Sequence, residues 1–255
     1  MDAYKLKCIA VCGMILNHCT IAYQAILPTW LLYVLYAAGG LTFPIMAFFV
    51  VEGYKYTSNL KKYFLRLLIF GLIAQAFYPM VLGIGLNIMF TIMLGLAVLV
   101  MYDKIKLRPL FWLLFVLSLL LSLIMDWGVI GVVIILMYHV ITKEDVRRLL
   151  PGMVGGLFSL ISSFSLILLV YVLMTNPRTA QYARVLYENM GNMRLTLASL
   201  TFVIGCVAGA FLLKSYNGKR GKKAKYLFYV SYPLHLAILG LTVVALGLKE
   251  FRFFI

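Results

Sequence analysis

Charged side chains are what this 255-residue sequence has least of: they make up 12% of it, and only eight of them are acidic. A soluble domain carries about twice that charged share. The shortage, with 64% of residues hydrophobic, excludes an ordinary water-soluble domain. A chain of this length has no interior large enough to hide so much apolar surface, whereas a bilayer supplies one. Cysteine is scarce as well. Cys8, Cys12, Cys19 and Cys206 fall in apolar stretches, three of them in the first, which argues against a disulfide scaffold and for small core residues. No CxxC, no HExxH and no His/Cys cluster at ligand spacing occurs, so a metal site has no support. There is no serine nucleophile elbow, no glycine-rich phosphate loop, no internal repeat and no separate soluble domain.

What the sequence does have is long apolar runs along its whole length. Inside hydrocarbon every backbone polar group must be satisfied within its own element, which leaves helices or closed barrels. The runs far exceed the roughly ten residues of a barrel strand and do not alternate. The expected fold is all-α: a polytopic transmembrane helical bundle of about nine spans, forming one domain over residues 1–255. The spans are expected near 8–27, 31–53, 64–82, 86–102, 109–125, 128–142, 151–174, 194–213 and 226–247. Turn chemistry at Pro28, Gly83, Gly85, Pro109, Pro151, Pro177 and Asn217-Gly218 separates them. The 128–142 stretch is short, and 31–53 is interrupted by Gly39-Gly40 and Pro44, so either is a candidate for tilt, kinking or re-entry. The opening MDAYKLK leads straight into a full-length apolar span without a cleavage pattern, as expected of a retained first helix. The one extended polar segment, 175–193, reads as a connecting loop or a lid.

Basic residues set the orientation. With the N-terminus cytoplasmic, that side carries Lys5 and Lys7, the 55–66 and 104–108 groups, Lys143, Arg147, Arg148 and six residues from Lys214 to Lys225. The other side holds only Arg178, Arg184, Arg194, Lys249 and Arg252 of the 23. This is the positive-inside pattern, and it places the C-terminus outside a cell membrane. The net charge of +15 therefore has a membrane explanation and does not call for nucleic acid. The KSYNGKRGKKAK cluster at 214–225 reads as topology plus anionic lipid headgroups, or as a dock for a phosphate-rich soluble cofactor.

Ionisable groups within spans are costly and mark functional candidates. His18 lies about eleven residues into the first span, near mid-bilayer at about 1.5 Å per residue, with Asn17, Cys19 and Thr20 around it. It reads as a general base or as an interhelical hydrogen bond. Glu52 closes the second span in FFVVEGYKY, and Arg66 opens the third in KKYFLRLL. The two are expected to meet as an ion pair or to share a vestibule in which Arg66 holds a substrate phosphate. Lys62 and Tyr63 precede Arg66 in the same run, Lys62 at its solvated edge. Asn87 and Asp126 sit at helix ends and read as caps. His235 lies in YVSYPLHLAIL near Pro233, with Tyr232 on the same stretch, and His139 lies at an interface.

Five stretches carry a family resemblance: LNHCTIAY around His18, LTFPIMAFFVVEGYKYTSNLKKYFLRLLIFGLIAQ from Leu41 to Gln75, LNIMFTIMLGL from Leu86, MDWGVIGVVIIL from Met125, and YPLHLAIL from Tyr232. In this order, over most of the chain, they resemble the TraX family, named for F-pilin acetylation, within the multi-spanning membrane acyltransferases. The resemblance implies transfer of an acyl group, typically acetyl, from cytoplasmic acyl-CoA as co-substrate, with a buried histidine as base and no metal. Read with the residues themselves, the candidate catalytic set is His18, Glu52, Asn87 and His235, and the candidate cofactor-binding set is Arg66, Lys62, Tyr63 and Tyr232. Expected partners are membrane lipids, acyl-CoA, a peptide, sugar or small-molecule acceptor, and a second copy of the chain in a homodimer. The sequence departs from the family pattern at Asn17, where aspartate is common, and at Gly40, where arginine is common. The alternative function is a small-molecule or proton-coupled transporter using Glu52, Asp126 and the histidines.

Overall fold

The computed structural model describes residues 1–175, 179, 181 and 192–248, and among these every regular element is a helix. In chain order they are α1 (Ala3–Tyr23), α2 (Thr29–Gly40), α3 (Thr42–Tyr56), α4 (Leu60–Gln75), α5 (Tyr78–Leu82), α6 (Ile88–Lys104), α7 (Arg108–Ser122), α8 (Gly128–Val140), α9 (Glu144–Thr175), α10 (Asn192–Lys214) and α11 (Lys225–Ala245). The long 175–193 connection lies almost wholly outside the described residues, as do Arg178, Arg184, Lys249 and Arg252.

Helix starts follow local chemistry. Asp2 caps α1 by accepting from the Lys5 N–H at 2.8 Å, Asn59 caps α4 through the Lys62 N–H at 2.8 Å, and Asn87 caps α6 through the Met89 N–H at 3.0 Å. Each satisfies an amide that the helix itself cannot. Because Asp2 provides the cap, α1 begins five residues earlier than the apolar run and ends at Tyr23, ahead of the expected limit at 27. His18 therefore stands five residues, about 7.5 Å, from the far end of α1 rather than at its midpoint.

Among the described residues, four stretches are long and apolar enough to cross a membrane: Ala3–Tyr23, Thr29–Tyr56, Leu197–Lys214 and Tyr226–Ala245. The expected count of nine spans is not what the helix lengths establish. α8 has 13 residues and reaches only about 20 Å, short of a hydrocarbon core of about 30 Å. The 64–82 run divides into α4 and the short α5, and the 31–53 run breaks between Gly40 and Thr42. Large apolar side chains remain exposed in continuous stripes, as on α7 (Leu113, Val116, Leu117, Leu120) and α9 (Leu157, Ile161, Phe164, Leu168). Such stripes suit lipid, not water. The chain is a helical membrane protein.

A buried apolar cluster runs through α1, α3 to α8, α10 and α11. α1 packs against α2, α3 and α11, and α10 against α2 and α9. The α2–α10 crossing is backbone on backbone. A Cβ on Gly40 would lie 2.1 Å from the Phe202 carbonyl oxygen, and one on Gly205 would lie 1.9 Å from that of Ala37. The basic loops gather at one end of the bundle, called the basic end below. There the Ala3 N–H donates to the Lys219 carbonyl at 2.9 Å, and Arg148 Nη1 to the carbonyls of Lys214 and Tyr216 at 3.1 and 3.2 Å.

Candidate active site

Between α1, α3, α6 and α11 lies a cavity of about 110 Å³. Its walls are mostly apolar: Ala10, Val11, Met14 and Ile21 of α1, Phe43 and Met46 of α3, Ile88, Met89 and Ile92 of α6, and Phe228 of α11. Into this lining project Asn17, His18, Asp126 and Tyr232.

His18 and His235 are both buried, each 6% exposed. They stand 217 residues apart in sequence, and His18 Nδ1 lies 2.6 Å from His235 Nε2. Their rings stack, with centroids 4.9 Å apart and planes 19° from parallel. His235 Nδ1 lies 2.7 Å from the Ser231 carbonyl oxygen. A carbonyl only accepts, so this nitrogen carries a hydrogen. With both rings neutral, His235 Nε2 is then the acceptor, and His18 Nδ1 donates to it. The lone pair of His18 is left on Nε2, which has no hydrogen-bond partner among the described residues. The hydrogen-bond chain thus assigns His18 the tautomer of a base.

Tyr232 packs edge-on to both imidazoles, at 6.2 and 5.5 Å between centroids. It is 1% exposed, and among the described residues its hydroxyl makes no close hydrogen bond, with the Ile88 N–H of α6 interacting with it from further off. Asn17 Oδ1 is likewise buried and unpaired. Its side chain fills the space a Cβ on Gly39 would need, 2.6 Å away.

The turn from α7 to α8 does more than supply a cap. Asp126 lines the cavity, its carboxylate accepts from the Trp127 N–H, and its charge reaches Tyr78 and Tyr232. Trp127 holds a left-handed backbone, φ 62°, rare for a bulky residue. The turn is fixed by Leu86 N–H to Ile124 O and Asp126 N–H to Leu86 O, both 2.8 Å, and by the Thr91 hydroxyl on the Asp126 carbonyl. The Trp127 ring stacks on Phe43 at 4.0 Å and walls the cavity. A Trp-Gly pair directly after one of only eight acidic residues was the available signal.

Of the catalytic and cofactor-binding residues expected from sequence, His18, His235 and Tyr232 come together, and Glu52, Asn87, Lys62, Tyr63 and Arg66 lie elsewhere. Glu52 does not pair with Arg66. It accepts from Arg147 Nη2 at 2.6 Å. Arg147, 5% exposed, also donates from Nε to the Tyr138 carbonyl at 2.6 Å and from Nη1 to Glu144 at 3.1 Å, and lies 4.6 Å over the Phe48 ring. Burial acts to raise the Glu144 carboxyl, but the hydrogen bonds from Arg148 and Arg147 outweigh it and hold it below its ordinary value. This network ties α3, α8 and α9 together at the basic end. The sequence places Arg147 among the loop charges, because nothing local in it marks the residue for burial.

Asn87 is fully buried. Its Nδ2 donates to the Gly71 carbonyl and to Gln75 Oε1, both at 2.8 Å, while its Oδ1 caps α6. No donor is left for a substrate carbonyl. Arg66 lies over the rings of Tyr63 and Tyr229 at 5.7 and 5.8 Å, Tyr63 is buried, and Lys62 is exposed. None of Glu52, Asn87, Lys62, Tyr63 and Arg66 lines the cavity. The cysteines are free, and Cys12 is exposed, contrary to the core role expected of it.

The fold and cavity define a class: an integral-membrane helical protein with a buried histidine pair, one member of which, His18, lines an apolar pocket. The TraX protein family model matches residues 3–243, and the chain belongs to that family. A curated relative, "Probable fimbrial assembly protein FimC, serogroup H1" of Dichelobacter nodosus, is 28% identical over 254 residues, covering 93% of this chain and 94% of its own. No solved structure matches the chain.

Proposed function

We propose that this protein is an integral-membrane acyltransferase that moves an acyl group, acetyl in the simplest case, from acyl-CoA to an amine or hydroxyl acceptor, with His18 as general base. The observation that carries this reading is the His18–His235–Ser231 hydrogen-bond chain, which leaves one imidazole lone pair unbonded on a residue that lines an apolar cavity. In the reaction, His18 Nε2 takes the proton of the acceptor as its nitrogen or oxygen attacks the thioester carbon. The oxyanion forms against the Tyr232 hydroxyl, the C–S bond breaks, and the thiolate leaves with the proton from His18. Direct transfer requires no nucleophile on the protein, in keeping with the lack of a serine or thiol in the cavity lining.

The orientation that fits this chemistry has the basic end in the cytoplasm, where acyl-CoA is found, the N-terminus inside and the C-terminus outside. The name of the Dichelobacter relative favours a second reading, a partner in fimbrial assembly. The two separate in one assay. Purified protein incubated with labelled acetyl-CoA and a mixed set of amine and hydroxyl acceptors consumes the thioester if it is a transferase, and leaves it intact if it serves assembly alone.

A further inference from the structure

The 214–224 loop is not a free basic run. Besides the Ala3–Lys219 bond, the Asn217 N–H donates to the Met1 carbonyl at 2.9 Å, and the Met1 amino group donates to the Ser215 carbonyl. These bonds fasten the loop to the first turn of α1. They bring Lys222 within 5.9 Å of the Tyr4 ring and Arg220 close enough for its charge to act on Lys7. Lys7 Nζ lies 5.0 Å from the Phe49 ring and 5.8 Å from that of Phe228. No carboxylate among the described residues pairs with Lys7. Asp2, the acid nearest in sequence, is engaged in capping α1.

Lys7 is a half-buried ammonium between two aromatic faces, with cations beside it and no ion-pair partner of its own, since the Asp2 carboxylate abuts Gly221 on the loop, and such a group favours the arrival of an anion. Its position says which. Phe228 lines the catalytic cavity. Ala10, Met14 and His18 follow Lys7 along α1 at helical spacing and line that cavity too. Eleven residues of helix place His18 about 16 Å beyond Lys7, a span suited to an extended pantetheine arm.

We propose that Lys7, Arg220 and Lys222 form a phosphate site at the basic mouth of the cavity, and that its occupant is the diphosphate of acyl-CoA. The site stands on this geometry, and its occupant rests on the acyl-transfer reading. With the diphosphate at Lys7, the arm runs along α1 past Ala10 and Met14 and delivers the thioester to His18.

The test is binding of CoA and of pantetheine to the full-length protein in nanodiscs of zwitterionic lipid, for wild type, Lys7→Met and Lys7→Arg. Loss of one charge-assisted phosphate contact should weaken CoA about tenfold or more in Lys7→Met. Lys7→Arg should retain most of the affinity, and pantetheine, which lacks the phosphates, should bind all three alike. Equal CoA affinity in wild type and Lys7→Met overturns the site, and so does a loss that pantetheine shares. Repeating the series with phosphatidylglycerol in the nanodiscs separates the occupants. A Lys7-dependent site that takes this lipid while CoA fails to bind wild type keeps the phosphate site and removes the acyl-CoA reading. Thioester consumption unaffected by Lys7→Met keeps the reading and removes the site.

Discussion

His18 Nδ1 and His235 Nε2 are 2.6 Å apart, and the second imidazole is itself anchored by its Nδ1 on the Ser231 carbonyl at 2.7 Å. One histidine thus orients the other, in the place where a carboxylate more often fixes an imidazole. Asn17, where the family commonly has aspartate, does not reach His18 through any hydrogen bond.

His235 is a positioning residue in this account. His235→Asn should lower kcat about ten- to a hundredfold with KM for acyl-CoA little changed, because the base loses its tautomeric control but not the pocket. The pH dependence of kcat should shift as well, which loss of a mere packing contact would not produce. A variant with wild-type kcat and pH profile would remove His235 from the mechanism.

Glu52 and Arg147 should be energetically coupled. Removing either partner of a buried, hydrogen-bonded pair costs about 3–5 kcal/mol, since the other charge is left without compensation. A double-mutant cycle on thermal unfolding in detergent, Glu52→Gln with Arg147→Met, should therefore show strong non-additivity. The corresponding cycle with Arg66→Met should be additive, because Arg66 lies on Tyr63 and Tyr229 instead.

The α2–α10 crossing should not tolerate a side chain. Gly205→Ala places a methyl group against the Ala37 carbonyl, and overpacking of this kind costs about 1–3 kcal/mol or more. Gly40→Arg, which would restore the residue common in the family, should reduce the folded yield rather than raise activity. Recovery of stable protein from both variants would mean the helices sit further apart.

Much of the fold is legible in the sequence, because apolar run length and cap chemistry are local. The runs at 86–102, 109–125 and 226–247 correspond closely to α6, α7 and α11. The membrane-crossing count is not legible in the same way, since run length does not distinguish a full span from a short buried helix such as α8. The site is legible only in pieces. His18 and His235 stand out singly as polar groups in apolar spans, but their contact depends on how α1 meets α11. Glu52 invites pairing with the nearest cation across one loop, whereas its partner comes from 95 residues away. Asn87 reads as a cap in sequence and is one, but that its Nδ2 is also taken up, by the Gly71 carbonyl and Gln75 Oε1, depends on how α4 meets α6.

Orientation is tested by reporter fusions. Fusions within 214–225 and 57–59 should report the cytoplasm, and a fusion at the C-terminus should report the outside. The opposite pattern would place the basic end away from acyl-CoA and contradict the proposed donor.

The central claim is that His18 Nε2 accepts the acceptor's proton. The most direct measurement is the single-turnover rate of acyl transfer from labelled acetyl-CoA by wild type and His18→Gln, with CoA binding and thermal unfolding measured on the same samples. Glutamine retains a hydrogen-bond donor toward His235 but cannot take up a proton at neutral pH. The account predicts a fall of about a hundredfold or more with binding preserved and stability lowered by no more than about 1 kcal/mol. A glutamine variant that turns over at the wild-type rate would contradict it.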